Sequence, residues 1–433
     1  MTVSFAKKSV FSLVNRGYNV LFQVVTAAYI SRIFFAEGVG EIMFVINIVT
    51  YFVLAASLGI PNYAVKVLAP VRDEQITLNK RFTELAVLIF ISSVVASLFY
   101  YSTVSLIFND ITELKMAYAL GLMVIANMFN YDWLFESVED FKYLACRSIL
   151  VRSLALLFIF TLVHSPEDVF EYCLIYSSCT ILSNLLNFVS HRKYVHFIFG
   201  HLEISQHLKP VFILFAAAFA TEMYTLLDST MLGIMCPPEY LGYYSNASKA
   251  ARAFFYAIFA AISVFNPSLN YIYKTGNISV YKKMLKRFYE TALCIAFPSM
   301  IILNLGAPLI MTLLFGEAFS PGILTLRLMS PLLIILTMAY VFGHVCLIIY
   351  GKEKVILYAA MIGAFVNFCL NQLLIPSYAH NGAAIASIVS EFAVAVFLVI
   401  NSLLVCRISL LSKKIIVMFM LSVILCVCGW III

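Results

Sequence analysis

The sequence predicts an all-α membrane protein that crosses the bilayer many times. Apolar residues make up 63% of the 433-residue chain and charged residues only 12%, about half of the ~25% that is usual for a soluble globular protein. Runs of about 20 apolar residues, the length that a helix needs to cross ~30 Å of hydrocarbon, recur along the whole chain. No segment between these runs is long enough to form a folded extramembrane domain.

Hydropathy predicts twelve spans, six in each half of the chain. The spans of the first half cover roughly 10–34, 41–60, 83–103, 115–135, 149–163 and 169–190, and those of the second half roughly 210–232, 241–265, 288–306, 323–349, 355–375 and 382–405. A last apolar run, 415–433, follows Lys413 and Lys414 and is a candidate thirteenth crossing. The predicted domains are an N-terminal half (1–190), a cytoplasmic linker (191–209), a C-terminal half (210–405) and a basic tail (406–433).

The distribution of Lys and Arg predicts that the N-terminus is cytoplasmic, because cytoplasmic loops are enriched in basic residues. In that orientation the inner loops and flanks collect most of the basic residues, including Arg147 and Arg152 beside the fifth span. The outer loops hold only Arg32, Lys115 and Arg327. The net charge of +6 then reflects topology, and no nucleic acid partner is implied.

The motifs that are missing from the sequence argue against an enzyme. The chain has no G-x-x-x-x-G-K-[ST] loop for binding ATP and no H-E-x-x-H zinc motif. Cys426 and Cys428 form only a C-x-C pair, which is too short a motif to indicate a metal site. We therefore expect no catalytic residue, metal or cofactor, and transport fits better than catalysis.

The two halves carry a faint trace of duplication. The first hairpin of each half contains an E-x-x-G segment, "AEGVGE" with Glu37 and Gly40, and "PEYLGY" with Glu239 and Gly242. A single four-residue match can arise by chance, but the two hairpins also hold similar positions in their halves. The pattern favours a duplicated transporter whose halves rock around a site between them.

Three blocks of the sequence resemble the polysaccharide transport family. They are "DWLFESVEDFKYLACRSILVR", "LLDSTMLGIMCPPEYLGYYSNASKAARAFF" and "GKEKVILYAAMIGAFVNFCLNQLLIPSYAHNGAAIASIVSE". The family comprises the Wzx-type O-antigen and capsule repeat-unit flippases, in the superfamily that also holds multidrug exporters and the lipid II flippase. The resemblance covers about residues 10–405, and it departs from the family pattern at Glu136 and Ser137, where a glutamine and a glycine are expected.

The resemblance implies a flippase of the bacterial inner membrane. Its substrate would be an undecaprenyl-diphosphate-linked oligosaccharide that moves from the cytoplasmic to the periplasmic leaflet by alternating access. Implied partners are this lipid-linked substrate, membrane lipid, and the glycan polymerase and chain-length regulator of the same pathway. Two alternatives are a cation-coupled multidrug exporter of the same superfamily, and a membrane-embedded glycosyltransferase or polymerase.

The eighth predicted span contains two cations, Lys249 and Arg252, near mid-bilayer. Intramembrane cations usually face the bundle interior or a water-filled cavity, so we expect both to contact the diphosphate in a cavity. A structural ion pair, or a misplaced span, is the alternative. Ser245, Ser248, Lys249, Arg252 and Tyr256 follow spacings of three and four residues and so form one stripe of the helix. Tyr256 is a candidate for stacking on sugar rings, although such a residue is as often part of helix packing.

Other intramembrane charges are secondary candidates. Arg16, near the cytoplasmic end of the first span, would either meet phosphate as the substrate enters or snorkel to the interface. Three carboxylates are candidates for ion coupling or for fixed counter-ions: Glu222, Asp228 and Glu391. Residues at equal depth in the seventh and eighth spans have numbers that sum to about 474, which predicts a Glu222–Arg252 ion pair and leaves Lys249 free.

Overall fold

The computed structural model describes residues 2–263, 265–406 and 413–432, with the side chains of 2–13, 16, 267, 413, 423 and 427–432 left out. All regular secondary structure in these ranges is helical. The helices are α1 (Thr2–Ser57), α2 (Ile60–Leu68), α3 (Gln75–Ile107), α4 (Ile111–Ala126), α5 (Asp132–Ser137), α6 (Phe141–Leu162), α7 (Val169–Ser190), α8 (Ser205–Met235), α9 (Pro238–Ser263), α10 (Asn266–Lys274), α11 (Ile278–Leu305), α12 (Ala307–Leu309), α13 (Gly322–Met329), α14 (Leu332–Ala339), α15 (Glu353–Cys406) and α16 (Lys413–Ile432).

The described residues contain nine helices that are long and apolar enough to cross a membrane, or ten when α9 and its bent continuation in α10 form one span. This confirms the all-α, multi-pass fold class. Two of the nine, Gly17–Val71 and Glu353–Cys406, run for 55 and 54 residues. A straight helix of that length would measure ~80 Å, more than twice the ~30 Å of hydrocarbon. Helices α1 and α15 within them are each interrupted by a kink, at Phe35 (φ 55°) and at Ala379 (φ 44°), and so divide into two helices each, while α2 forms the end of the first range.

The fifth predicted span begins too late. Helix α6 starts at Phe141, and its 22 residues measure ~33 Å, so nearly its full length is needed to cross the bilayer. Arg147, which the predicted span 149–163 leaves outside, therefore lies inside the helix together with Arg152. Charged residues lower the local hydropathy, and this moved the predicted start of the span past Arg147.

The chain folds into two compact units. Unit 1 comprises Met1–Thr26 and Glu41–Met223. One of its hydrophobic cores is centred on the fully buried Phe82, whose ring packs against those of Tyr131, Trp133 and His191. These rings join α3 to the start of α5 and the end of α7, and so fix one end of the unit.

The linker that follows α7 is docked onto α3 within unit 1. The amide nitrogens of His196 and Ile198 donate to Asn79 Oδ1 and Thr83 Oγ1, both at 3.0 Å. The amide nitrogen of Glu203 donates to Oε1 of the fully buried Glu84 at 2.7 Å, and Glu84 Oε2 lies 2.9 Å from His207 Nε2. The predicted linker therefore follows one helix closely.

Unit 2 comprises Ala27–Gly40 and Tyr224–Ile433. The short segment from α1 packs against α9, where the Nδ2 of the buried Asn246 donates to Ser31 Oγ at 2.7 Å. The two E-x-x-G segments noted in the sequence meet at this contact. Helix α9 also packs against α11, α13, α14 and α15, which places it at the centre of unit 2.

Candidate functional site

The site of unit 2 is built around a buried carboxylate, Asp228 in α8. Its Oδ1 accepts hydrogen bonds from the Nδ2 atoms of Asn367 and Asn371, each at 2.7 Å. Its Oδ2 accepts from the hydroxyl of Tyr244 at 2.7 Å and from the hydroxyl of Ser387. The carboxylate is 8% exposed, and these four donors offset the cost of holding a charge at this depth.

The local sequence explains how these groups meet. Asn367 and Asn371 are four residues apart on α15, so they share one face of the helix, and Ser387 follows the kink at Ala379. Asn371 Nδ2 also donates to Asn367 Oδ1 at 3.0 Å. The Oδ1 of Asn371 is buried and has no hydrogen-bond partner among the described residues. Carboxylate, amide and hydroxyl oxygens are ligands that hard cations accept, so this centre can hold a proton or a small cation.

A cavity of about 70 Å³ adjoins the carboxylate, with room for several waters. Asp228, Glu391 and Arg252 all line it, and the charges of Glu391 and Arg252 are close enough to interact. The remaining lining residues are Tyr224, Thr225, Tyr244, Ser248, Ala251, Met329, Leu332, Leu336, Asn367, Ser387 and Ser390. Three of the sequence-predicted site residues thus come together in one polar cavity.

Helix α9 turns a slightly different face to this cavity from the one that the sequence predicts. The lining residues Tyr244, Ser248 and Arg252 are spaced by four. Ser245 and Lys249 are each one residue further along, about 100° around the helix, and within the described chain they are not among the lining residues. Ser245 is buried. Lys249 is half-buried and forms no hydrogen bond or ion pair with any residue that the structure describes.

The other predicted site residues lie apart from the cavity. Tyr256 is 45% exposed. Arg16 belongs to α1, but its side chain is outside the described part of the chain. Glu222 is half-buried in the part of α8 that belongs to unit 1. Its pairing with Arg252 stays a prediction, and Arg252 Nε lies 3.4 Å from Ser248 Oγ.

Unit 1 holds an arginine cluster that sequence reasoning missed. Arg147 forms an ion pair with Asp132, in which Nη2 lies 3.2 Å from Oδ2 and Nη1 contacts Oδ1. Asn187 Nδ2 donates to the same Asp132 Oδ1 at 2.6 Å. Arg152 lies one to two turns further along α6, with its guanidinium carbon 5.6 Å from the ring centroid of Phe22. The signal in the sequence was the acid at the end of the fourth span and the two basic residues in the fifth.

Comparison with known proteins identifies the family. Residues 5–272 match the family model described as "Polysaccharide biosynthesis protein". A protein of Escherichia coli (strain K12) described as "Putative O-antigen transporter" is 22% identical over 425 residues, which cover 93% of this chain and 99% of that protein. A protein of Shigella dysenteriae with the same description is 23% identical over 394 residues, or 88% of this chain and 96% of that protein.

Solved structures of two kinds of membrane transporter share the fold of this chain. The lipid II flippase MurJ in an inward closed conformation superposes with a TM-score of 0.75 at 14% identity, over 99% of this chain and 98% of that one. An inward-facing multidrug resistance MATE family transporter of the MOP superfamily superposes with a TM-score of 0.67 at 12% identity, over 89% and 94% of the two chains. Identities this low show a shared fold alone. The family match covers more than half of the chain and confirms the resemblance found in the sequence blocks: the protein belongs to the polysaccharide biosynthesis protein family.

Proposed function

We propose that the protein is a flippase that moves an undecaprenyl-diphosphate-linked oligosaccharide, an O-antigen or capsular repeat unit, across the bacterial inner membrane. Its family, and relatives described as O-antigen transporters, support a glycan substrate. Its likeness in fold to a lipid II flippase fits a lipid-linked substrate. The observation that carries the proposal is Lys249, an intramembrane cation that has no partner among the described residues.

The depth of Lys249 is what makes it informative. It lies eleven residues after the start of α9, a helix of 26 residues, and therefore ~16 Å along the helix. By insertion scales a charge at the centre of a membrane helix costs about 2.5–3.5 kcal/mol. A bound diphosphate would offset that cost when the substrate enters, and charge-assisted hydrogen bonds from an ammonium to phosphate oxygens are strong. Lys249, with Arg252 one turn further along α9, is therefore our proposed diphosphate contact, and Ser245, Tyr256 and Arg16 are secondary candidates.

We propose twelve crossings in two six-helix halves, residues 1–190 and 210–405, joined by the cytoplasmic linker 191–209. The count follows when α1 and α15 provide two crossings each and α9 with its bent continuation provides one. Helix α16, in the tail 406–433, is then a candidate thirteenth crossing. The Lys and Arg distribution supports a cytoplasmic N-terminus.

Energy coupling is proposed to reside at Asp228. A carboxylate that accepts hydrogen bonds from amide and hydroxyl groups can exchange a proton or a sodium ion when those groups rearrange, and intramembrane carboxylates often serve as relays. Glu391 shares the cavity with Arg252 and is better suited to be its counter-ion. Glu222 remains the other candidate counter-ion.

The alternative, a cation-coupled multidrug exporter, has less support. The likeness to MATE transporters concerns the fold alone. The intramembrane cations Lys249 and Arg252 would repel cationic cargo, although the cavity beside Asp228 also contains the carboxylate of Glu391. The glycan polymerase and the chain-length regulator of the same pathway remain candidate partners.

Deletion of the gene tests the proposed function directly. Cells without the protein should lose the surface glycan and accumulate the undecaprenyl-diphosphate-linked repeat unit, and a plasmid copy should reverse both effects. Loss of surface glycan without accumulation of the lipid-linked unit would place the protein at an earlier step. Unchanged surface glycan would refute the proposal.

A further inference from the structure

Arg152 of unit 1 is another intramembrane cation, and the proposed function assigns no role to it. Helix α6 runs from Phe141 to Leu162, so Arg152 has at least ten helical residues on either side and lies ~15 Å from each end. A position at mid-bilayer is too deep for the guanidinium to reach an interface easily. Intramembrane arginines at such depth generally pair with an acid or line a polar cavity.

The orientation of α6 points Arg152 into the unit. Three exposed apolar side chains of the same helix, Leu150, Leu157 and Phe158, lie about 120–160° around the helix from Arg152 at ~100° per residue. That apolar face suits lipid. The buried side chains of Ser148, Ala155 and Ile159 lie within about 60° of Arg152 on the same helix.

The surroundings of Arg152 contain aromatic and weakly polar groups. Its guanidinium lies over the ring of Phe22, and the titratable groups that interact with it are Tyr18, Tyr176, Cys179 and Arg147. Arg152 forms no ion pair with a carboxylate in the described chain, and its Nη1 is buried without a hydrogen-bond partner there. Arg147 differs because both of its Nη atoms have partners, Asp132 and Asn187, although its Nε is likewise buried without a hydrogen-bond partner among the described residues.

We propose that Arg152 is an anion-binding residue that contacts the diphosphate of the lipid-linked substrate from unit 1. The inference rests on the proposed function, and it gives unit 1 its own contact with the diphosphate. A guanidinium presents a planar set of donors that matches phosphate oxygens. Nη1 supplies an unused donor, and the hydroxyls of Tyr18 and Tyr176 lie nearby to assist. Arg147 is the structural arginine of the same helix.

The test measures binding of farnesyl diphosphate, a short prenyl diphosphate, to the full-length protein in an uncharged detergent. Arg152→Gln keeps a planar group over Phe22 but removes the charge, and should weaken binding about tenfold or more, the usual range for one charge-assisted contact. Arg152→Lys should lose less, because the charge remains. Without the ligand, the thermal midpoint of Arg152→Gln should equal or exceed that of the wild type, since no native ion pair is lost.

Each contrary result has a definite meaning. Unchanged binding by Arg152→Gln, together with weakened binding by Lys249→Ala, would overturn this inference and leave the proposed function standing. No binding of farnesyl diphosphate by the wild type would count against both. A thermal midpoint lowered as far as that of Arg147→Ala, without recovery in Arg152→Lys, would make Arg152 structural. Equal competition by phosphatidylglycerol would assign the site to a phospholipid headgroup and overturn the substrate assignment.

Discussion

Gly40 and Gly242 meet in a helix contact so close that neither position has room for a side chain. A Cβ on Gly40 would lie 1.8 Å from the carbonyl oxygen of Pro238 and 3.2 Å from the amide nitrogen of Gly242. A Cβ on Gly242 would lie 2.0 Å from the carbonyl oxygen of Ala36. The contact is reciprocal, and each glycine ends one of the two E-x-x-G segments. Small residues allow membrane helices to approach backbone to backbone in this way.

Replacement of either glycine should separate these helices. We expect Gly40→Ala and Gly242→Ala to lower the free energy of unfolding by about 1–3 kcal/mol, the usual cost of overpacking, measured as a lower thermal midpoint in detergent. Gly17→Ala is the matched control, because a Cβ there has no neighbour within 4 Å. That control should be neutral or stabilise by up to ~1 kcal/mol. A Gly242→Ala protein as stable as the control would contradict the close contact.

The ion pair of Arg147 with Asp132 should contribute more to stability than a surface pair does. The side chain of Arg147 is only 8% exposed, although that of Asp132 is 44% exposed. Arg147→Ala removes the guanidinium that donates to Asp132 and to Asn187 Oδ1, and should cost about 1.5–3 kcal/mol. Arg72 and Glu139 form the comparison pair, with side chains 40% and 41% exposed, and Arg72→Ala should cost less than ~1 kcal/mol. Thermal midpoints of the two variants give the comparison, and equal losses would argue against a special role for Arg147.

Neutralisation of Asp228 should uncouple transport from its ion. If the centre binds sodium, replacing choline by sodium at about 100 times the dissociation constant should stabilise the wild type by ~2.7 kcal/mol. If it binds a proton, the thermal midpoint should instead depend on pH in the wild type. Asp228→Asn should abolish whichever response the wild type has and stop glycan display. Asp110→Asn, at the N-cap of α4, is the control and should behave as the wild type. An Asp228→Asn protein that keeps both the sodium or pH response and the surface glycan would refute the coupling role.

Reporter fusions test the topology. A reporter that is active only in the periplasm should be active when fused after Pro166 or Pro238, and silent when fused after Lys283. The reason is the excess of Lys and Arg in the loops proposed to be cytoplasmic. The opposite pattern of activity would invert the proposed orientation.

Span positions follow well from the sequence, because hydrocarbon thickness fixes the length of an apolar run. The start of the fifth span is an exception. It was placed too late because Arg147 lowers the hydropathy of the first turns of α6, although Arg147 forms an ion pair with Asp132 in the fold. A hydropathy value is assigned to each residue separately, so it does not account for an ion-pair partner on another helix.

The side of a helix that faces a cavity was harder to predict than the depth of its residues in the membrane. The spacing of polar residues placed Ser248, Lys249 and Arg252 on one stripe of α9. Of these, Ser248 and Arg252 line the cavity together with Tyr244, whereas Lys249 does not. In the sequence, Asp228 is 139 and 143 residues away from Asn367 and Asn371. Their meeting at one carboxylate depends on how α8 and α15 pack, which no local pattern encodes.

Replacement of Lys249 tests the central claim most directly, because that residue carries the proposed function. Lys249→Ala should leave protein levels near normal while surface glycan falls and the undecaprenyl-linked repeat unit accumulates, and Lys249→Arg should retain more activity. Lys274→Ala, an exposed lysine at the end of α10, should behave as the wild type. Normal surface glycan in Lys249→Ala at normal expression would contradict the assignment of this cation to the substrate diphosphate.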